Sequence, residues 1–132
     1  MAFIDKLAWI EIREGKILST RSRGKDIWYI PGGKRETGET DQEALIREIS
    51  EELSVRLVPE QLSFLGEWSA QAHGHPEGLE VRMRCYEGPY TGKLEAAAEI
   101  AEWGWLAMSD IARISPVDQQ IFSYLHSTGR LV

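Results

Sequence analysis

Residues 30–55, IPGGKRETGETDQEALIREISEELSV, decide how the rest of the chain is arranged. Pro31-Gly32-Gly33 reads as a tight turn closing a short apolar strand, with glycines where the backbone needs dihedrals other residues avoid. A helix begins near Thr40. Thr40 and Glu43 are spaced for a capping box, each side chain satisfying the other's free backbone N–H. At about 100° per residue, Leu45, Ile46, Ile49 and Leu53 make one apolar stripe that must face a core. Glu48, Glu51 and Glu52 fall together in a neighbouring sector. Carboxylates so placed repel by about 0.2–0.5 kcal/mol per close pair even in water, and a merely solvated face would intersperse lysines. A hard divalent cation such as Mg2+ takes oxygen ligands and cancels the repulsion. Ala44, one turn earlier, is expected on the same face, small enough to let a substrate approach.

The run Gly33, Glu39, Arg47-Glu48-Ile49-Ser50-Glu51-Glu52-Leu53-Ser54-Val55 resembles the Nudix box, G-x5-E-x7-R-E-U-x-E-E-x-G-U with U aliphatic. It departs at Ser54, where the family has glycine. A left-handed residue there would close the helix, at a cost of roughly 1–2 kcal/mol for serine. The resemblance implies a Nudix fold: an α/β/α sandwich with a mixed sheet between the Nudix-box helix and a C-terminal helix. It also implies residue roles. Glu48 and Glu52 are expected as metal ligands, Glu51 as a ligand or a partner through water, and the Gly32 carbonyl as a backbone ligand. One of Glu99 or Glu102 is expected to complete the set; Glu102, directly before Trp103, resembles the arrangement in MutT-type enzymes, and Glu99 is nearly as well placed. Glu48 is the first choice for deprotonating the attacking water, and Arg47 is expected to pair with Glu39 and tie the loop to the helix. The implied cofactor is Mg2+, with Mn2+ as the alternative.

At 132 residues the chain is expected to be one domain, residues 1–132, with the box at 33–55. Its net charge of −6 argues against a non-specific nucleic-acid binder, which needs a basic surface for phosphates. Cys85 is the single cysteine, so no intrachain disulfide is expected. The opening MAFIDKLAWI carries Asp5 and Lys6 and does not read as a signal peptide. No stretch approaches the ~20 apolar residues of a membrane span. A cytoplasmic protein, monomeric or homodimeric, is the expectation, acting on a small nucleotide without a membrane or nucleic-acid partner.

Along the chain, residues 3–12 read as a strand, then a hairpin turn at 13–16 and a second strand from about 17 to 22. Arg21, Arg23 and Lys25 form a basic loop before Ile27-Trp28-Tyr29-Ile30, where one aromatic packs inward and the other borders a pocket. Leu62 to Ala72 reads as a strand bent near Gly66, followed by the loop His73-Gly74-His75-Pro76-Glu77-Gly78. Leu79, Val81, Met83 and Cys85 alternate with polar residues in another strand. A strand from Trp103 to Ala107, a short helix capped by Ser109, and a closing helix from Pro116 to about Leu125 complete the pattern.

The candidate substrate-binding residues are Arg23, Lys34, Trp28 and Asp118. The short chain resembles the MutT-type enzymes that split nucleoside triphosphates into monophosphate and pyrophosphate. It contains no asparagine to read an oxidised guanine; Asp118 could accept a hydrogen bond from a base amine instead. The alternatives are hydrolysis of ADP-ribose or a dinucleoside polyphosphate, and a non-catalytic nucleotide sensor on the same fold.

Overall fold

The computed structural model describes residues 3–132. Its first strands are β1 (Phe3–Trp9), β2 (Ile12–Arg13) and β3 (Lys16–Ser22). The turn between β2 and β3 puts Glu14 at φ 53° and Gly15 at φ 78°, a two-residue hairpin whose twist suits the flanking strands. Two short strands, β4 (Trp28–Tyr29) and β5 (Gly32–Lys34), lead into helix α1 (Asp41–Leu53). Then come β6 (Arg56–Leu57), β7 (Ser63–Gln71), β8 (Glu80–Glu87), β9 (Tyr90–Thr91), β10 (Ile100–Leu106) and helix α2 (Pro116–Ser127).

One four-stranded sheet runs β5-β1-β8-β7, with β1 and β8 parallel and the other pairs antiparallel. A second runs β10-β3-β2, with β4 also on β3. Alternation along β1 divides the core. Leu7 and Trp9 join Leu45, Ile49 and Leu53 of α1, while Ala8 and Ile10 join Val117, Ile121 and Phe122 of α2. Each of the larger aliphatic and phenylalanine side chains among them contributes about 1.5–3 kcal/mol by leaving water. The helices therefore cover opposite faces of a mixed sheet, the α/β/α sandwich expected from the sequence.

The helix signals act as local chemistry dictates. Thr40 Oγ1 accepts from Glu43 N–H at 3.1 Å, and Glu43 Oε1 accepts from Thr40 N–H at 2.9 Å. At the other end Ser54 is left-handed, φ 64° and ψ 18°. Its hydroxyl donates to the Glu95 carbonyl at 3.1 Å, a hydrogen bond glycine could not make, which offsets part of the strain.

Three expectations are corrected. Ala44 is fully buried and packs with Leu7, Leu45 and Ile49 in the core rather than facing a substrate. Strand β10 starts at Ile100 rather than Trp103, since its pairing with β3 reaches back to Ser22. Ser109 caps nothing: residues 108–113 form a 3-10 helix whose first turn is tied by Asp110 Oδ2 accepting from Ala107 N–H at 2.9 Å. Among the described residues no helix is long and apolar enough to cross a membrane.

Candidate active site

The start of α1 is fastened by Asp41. Its carboxylate pairs with Arg35 at 2.5 Å and Arg84 at 2.7 Å, and accepts from the Tyr86 hydroxyl at 2.6 Å. Burial alone would raise its pKa; the three donors together hold it at about 2. This fixes the helix against β8 and against the loop that follows β5.

Six residues further along α1, Arg47 ties the loop to the helix. Nε and Nη2 grip the two oxygens of Glu39 at 2.8 and 2.9 Å, and Nη2 also reaches the Lys34 carbonyl at 3.2 Å. Nη1 holds Glu48 Oε1 at 2.9 Å. The Arg47 guanidinium, with the Glu36 N–H, keeps Glu39 at about 2. A planar fork suits such a two-oxygen grip, and a lysine could not reproduce it.

Glu48 lies directly over Gly33. A Cβ at that glycine would stand 2.5 Å from the carboxyl carbon of Glu48, so only glycine admits the acid there. Glu52 is 5% exposed and packs against Glu48. Burial, then the charges of Glu48 and Glu99, push its pKa well above the carboxylate range, opposed by a hydrogen bond from the Gly32 backbone. Glu48, Glu52, Glu99, Gly32 and Gly33 line a cavity of about 350 Å³. A second cavity, about 530 Å³, opens beside it between the sheet and the start of α2, lined by Ile4, Val81, Ala72, Val117, His73 and His75. Lys6, Tyr29, Lys34 and Met83 line both, so the two form one continuous cleft.

The residues singled out in the sequence distribute unevenly over this cleft. Glu48, Glu52, Glu99, Gly32 and Lys34 line it. Glu51 leans towards Arg47 at 3.4 Å with its side chain 54% exposed. Glu102 lines neither cavity: it pairs with Arg21 at 3.0 Å, because the irregularity in β10 between Ile100 and Glu102 turns it away while Glu99 stays at the rim. Arg23 is exposed and lines neither, whereas its neighbours Gly24 and Lys25 do. Trp28 is a core residue, with its ring beside Gly104 and Arg113, so the aromatic that borders the cleft is Tyr29. Asp118 is fully buried under the cleft floor, accepting from Ile30 N–H at 2.9 Å through Oδ2. Its other oxygen has no partner among the described residues. Cys85 is buried in the core. The sequence reading left Trp28 and Tyr29 open as the aromatic at the pocket and missed Lys6; a lysine at the centre of the Phe3–Trp9 strand, followed by Leu7, Ala8 and Trp9, was the available signal.

Burial raises the Asp118 carboxyl to about 7, against the opposing Ile30 N–H and the Lys6 charge. A carboxyl raised in the folded state binds more protons folded than unfolded, so its contribution is present at low pH and is lost as pH rises from about 4 through 7. Asp118→Asn is expected to remove that dependence. The stability difference between wild type and variant, by urea unfolding at pH 5 and pH 8, should move against wild type by up to about 3 kcal/mol. An unchanged difference would show that Asp118 is ionised across this range.

The donor set fits a hard divalent cation. Two carboxylates in contact, one of them buried, with a third acid at the rim, repel one another until a cation stands among them. No finished cage of three acidic, histidine or cysteine side chains is drawn up among the described residues. The candidate set is therefore the Glu48–Glu52 pair with Glu99 and backbone oxygen.

Residues 7–125 match the family model of the NUDIX domain. The chain belongs to the NUDIX family. It is 31% identical over 101 residues to the CTP pyrophosphohydrolase of Escherichia coli (strain K12), covering 73% of this chain and 70% of that protein. It is 28% identical over 106 residues to the ADP-ribose pyrophosphatase of Methanocaldococcus jannaschii, covering 78% of this chain and 61% of that one. Its fold is that of the E. coli ORF135 protein in solution, with a TM-score of 0.75, 24% identity, and coverage of 96% of this chain and 91% of that chain. The protein is thus a Nudix hydrolase, an enzyme acting on pyrophosphate bonds. Nudix hydrolases generally use divalent metal ions, and Nudix homologues act on small nucleotide substrates.

Proposed function

We propose that this Nudix hydrolase cleaves a nucleoside triphosphate, modified or not, into the monophosphate and pyrophosphate, with Mg2+ as its metal. The observation that carries this reading is the continuous cleft. Its carboxylate end suits a metal-held diphosphate, and its wider end has the size of a nucleoside pocket, with apolar Ile4, Val81 and Val117 beside polar Gln71, His73 and His75. Similarity to a CTP pyrophosphohydrolase supports the triphosphate as the substrate class.

Glu48, Glu52, Glu99 and the Gly32 carbonyl would hold the cation, and Glu51, out towards solvent, would act through water. When bound, the cation supplies charge neutralisation on the phosphate oxygens and a more acidic water. Glu48, oriented by the Arg47 hydrogen bond at 2.9 Å, takes the proton of the attacking water. The water oxygen bonds to phosphorus as the P–O bond to the departing pyrophosphate breaks, and pyrophosphate leaves with the bridging oxygen. Lys34 faces the substrate phosphates from the turn.

A panel of CTP, the other canonical and oxidised triphosphates, ADP-ribose and diadenosine polyphosphates with Mg2+ tests the proposal. Monophosphate plus pyrophosphate from a triphosphate, at the highest kcat/KM of the panel, is the expected result. Preference for ADP-ribose would transfer the site to that substrate class, and nucleotide binding without turnover anywhere would favour a sensor.

A further inference from the structure

Lys6 occupies a position where a core residue would ordinarily stand. β1 is an interior strand of its sheet, and alternation puts Lys6 on the same face as Ile4 and Ala8, towards α2. Its register partners are Met83 in β8 and Lys34 in β5. An ammonium on such a face loses much of its hydration, and its nearest acids, Asp118, Glu52 and Glu48, act on it through space rather than by hydrogen bond. Its Nζ stands 5.6 Å from the centre of the Tyr29 ring. The residue directly across the ladder is a second lysine, and like charges directly opposed on one face of a sheet are destabilising. Asp118 below offsets part of this, but a carboxylate under the floor does not explain why two cations converge above it.

Their place in the cleft does explain it. Lys6 and Lys34 both line the carboxylate cavity and the wider cavity, at the neck where one passes into the other. A nucleotide spanning the two must carry the phosphate attached to its sugar through this neck. We propose that Lys6 is a substrate-binding residue that works with Lys34 to grip that nucleoside-proximal phosphate, an inference that rests on the nucleotide reading of the cleft. Asp118, buried beneath, acts on Lys6 through space without touching it. An anion between the two lysines relieves their repulsion and replaces the hydration Lys6 has lost. The carboxylates on the opposite wall are left to the metal and the leaving pyrophosphate.

The test separates phosphate recognition from both metal and turnover. AMP, GMP, CMP and UMP, and their four nucleosides, are titrated calorimetrically into wild type, Lys6→Met, Lys6→Gln and Lys6→Arg in EDTA. At least one monophosphate is expected to bind wild type 10-fold or more tighter than its nucleoside. Lys6→Met should bring the two within about threefold, and Lys6→Arg should retain most of the preference. Lys6→Met removes a poorly solvated charge, so its Tm should equal or exceed that of wild type; Lys6→Gln carries the comparison should the methionine variant not fold. In turnover, KM should rise at least tenfold with a smaller change in kcat. The proposal is overturned if Lys6→Met keeps the preference for the phosphate, or if wild type binds no monophosphate better than its nucleoside. Absence of hydrolysis by wild type is a different outcome, which strikes the proposed function and leaves the binding comparison standing.

Discussion

Glu52→Gln is expected to lower kcat by about 10³-fold or more and, in the same protein, to raise the stability of the metal-free form. The two effects have one origin. Glu52 is almost fully buried against Glu48, with Glu99 adding a third negative charge, and burial and like charges both oppose its ionisation. A neutral amide of the same shape removes that conflict, so Tm in EDTA should rise. The same substitution removes a ligand from the proposed metal set, and metal-borne charge stabilisation of several kcal/mol corresponds to three or more decades in rate. Metal should also stop protecting the variant: saturating Mg2+ should raise the Tm of wild type, since a ligand of the native state alone stabilises it, and leave the variant nearly unmoved. Thermal unfolding with and without Mg2+, alongside steady-state rates, checks all three statements. A variant of wild-type activity would remove Glu52 from the site.

Gly32→Ala is expected to be the most destabilising of the single-residue changes considered, by about 3 kcal/mol or more. Gly32 has φ 150° and lies in the β1–β5 ladder opposite Ala8. A Cβ there would overlap the Leu7 carbonyl oxygen and stand 2.9 Å from Ala8 Cα, and these are backbone atoms of a central strand that cannot swing aside. The ladder must open, taking with it the turn that brings Gly33 under Glu48, so activity should fall with stability. Gly38→Ala is the control. Gly38 has φ 85° but open space around its would-be Cβ, so only backbone strain of about 1 kcal/mol is expected. Urea unfolding of the pair should separate them clearly; equal losses would mean that strain at φ, not the approach of β1, is what Gly32 avoids.

The parts of this molecule that were legible in the sequence are those whose physics is local. The capping box, the glycine turn, the left-handed Ser54 and the alternation of Val81, Met83 and Cys85 each depend on residues within a few positions of one another. Where long-range packing decides, the sequence underdetermined the answer. Trp28 and Tyr29 were assignable to opposite faces, but which face is core depends on Gly104 and Arg113, far along the chain. Glu102 was slightly preferred to Glu99 on sequence, and the register of β10 against β3 reverses that order by turning Glu102 onto Arg21. Asp118 looked like a first-turn helix residue, yet α2 packs so that its carboxylate points under the cleft and accepts the Ile30 amide. Lys6 could not be placed at all without knowing that β1 is interior and that its ladder partner is Lys34.

The most direct measurement is a titration of Mn2+ into the metal-free protein, followed by the loss of its free EPR signal, for wild type, Glu48→Gln and Glu52→Gln. Wild type is expected to take up the ion, with affinity reduced at least tenfold in each variant and restored in neither by raising pH. Binding of equal strength in all three proteins would contradict the assignment of the Glu48–Glu52 pair as the metal site, and with it the catalytic role given to this end of the cleft.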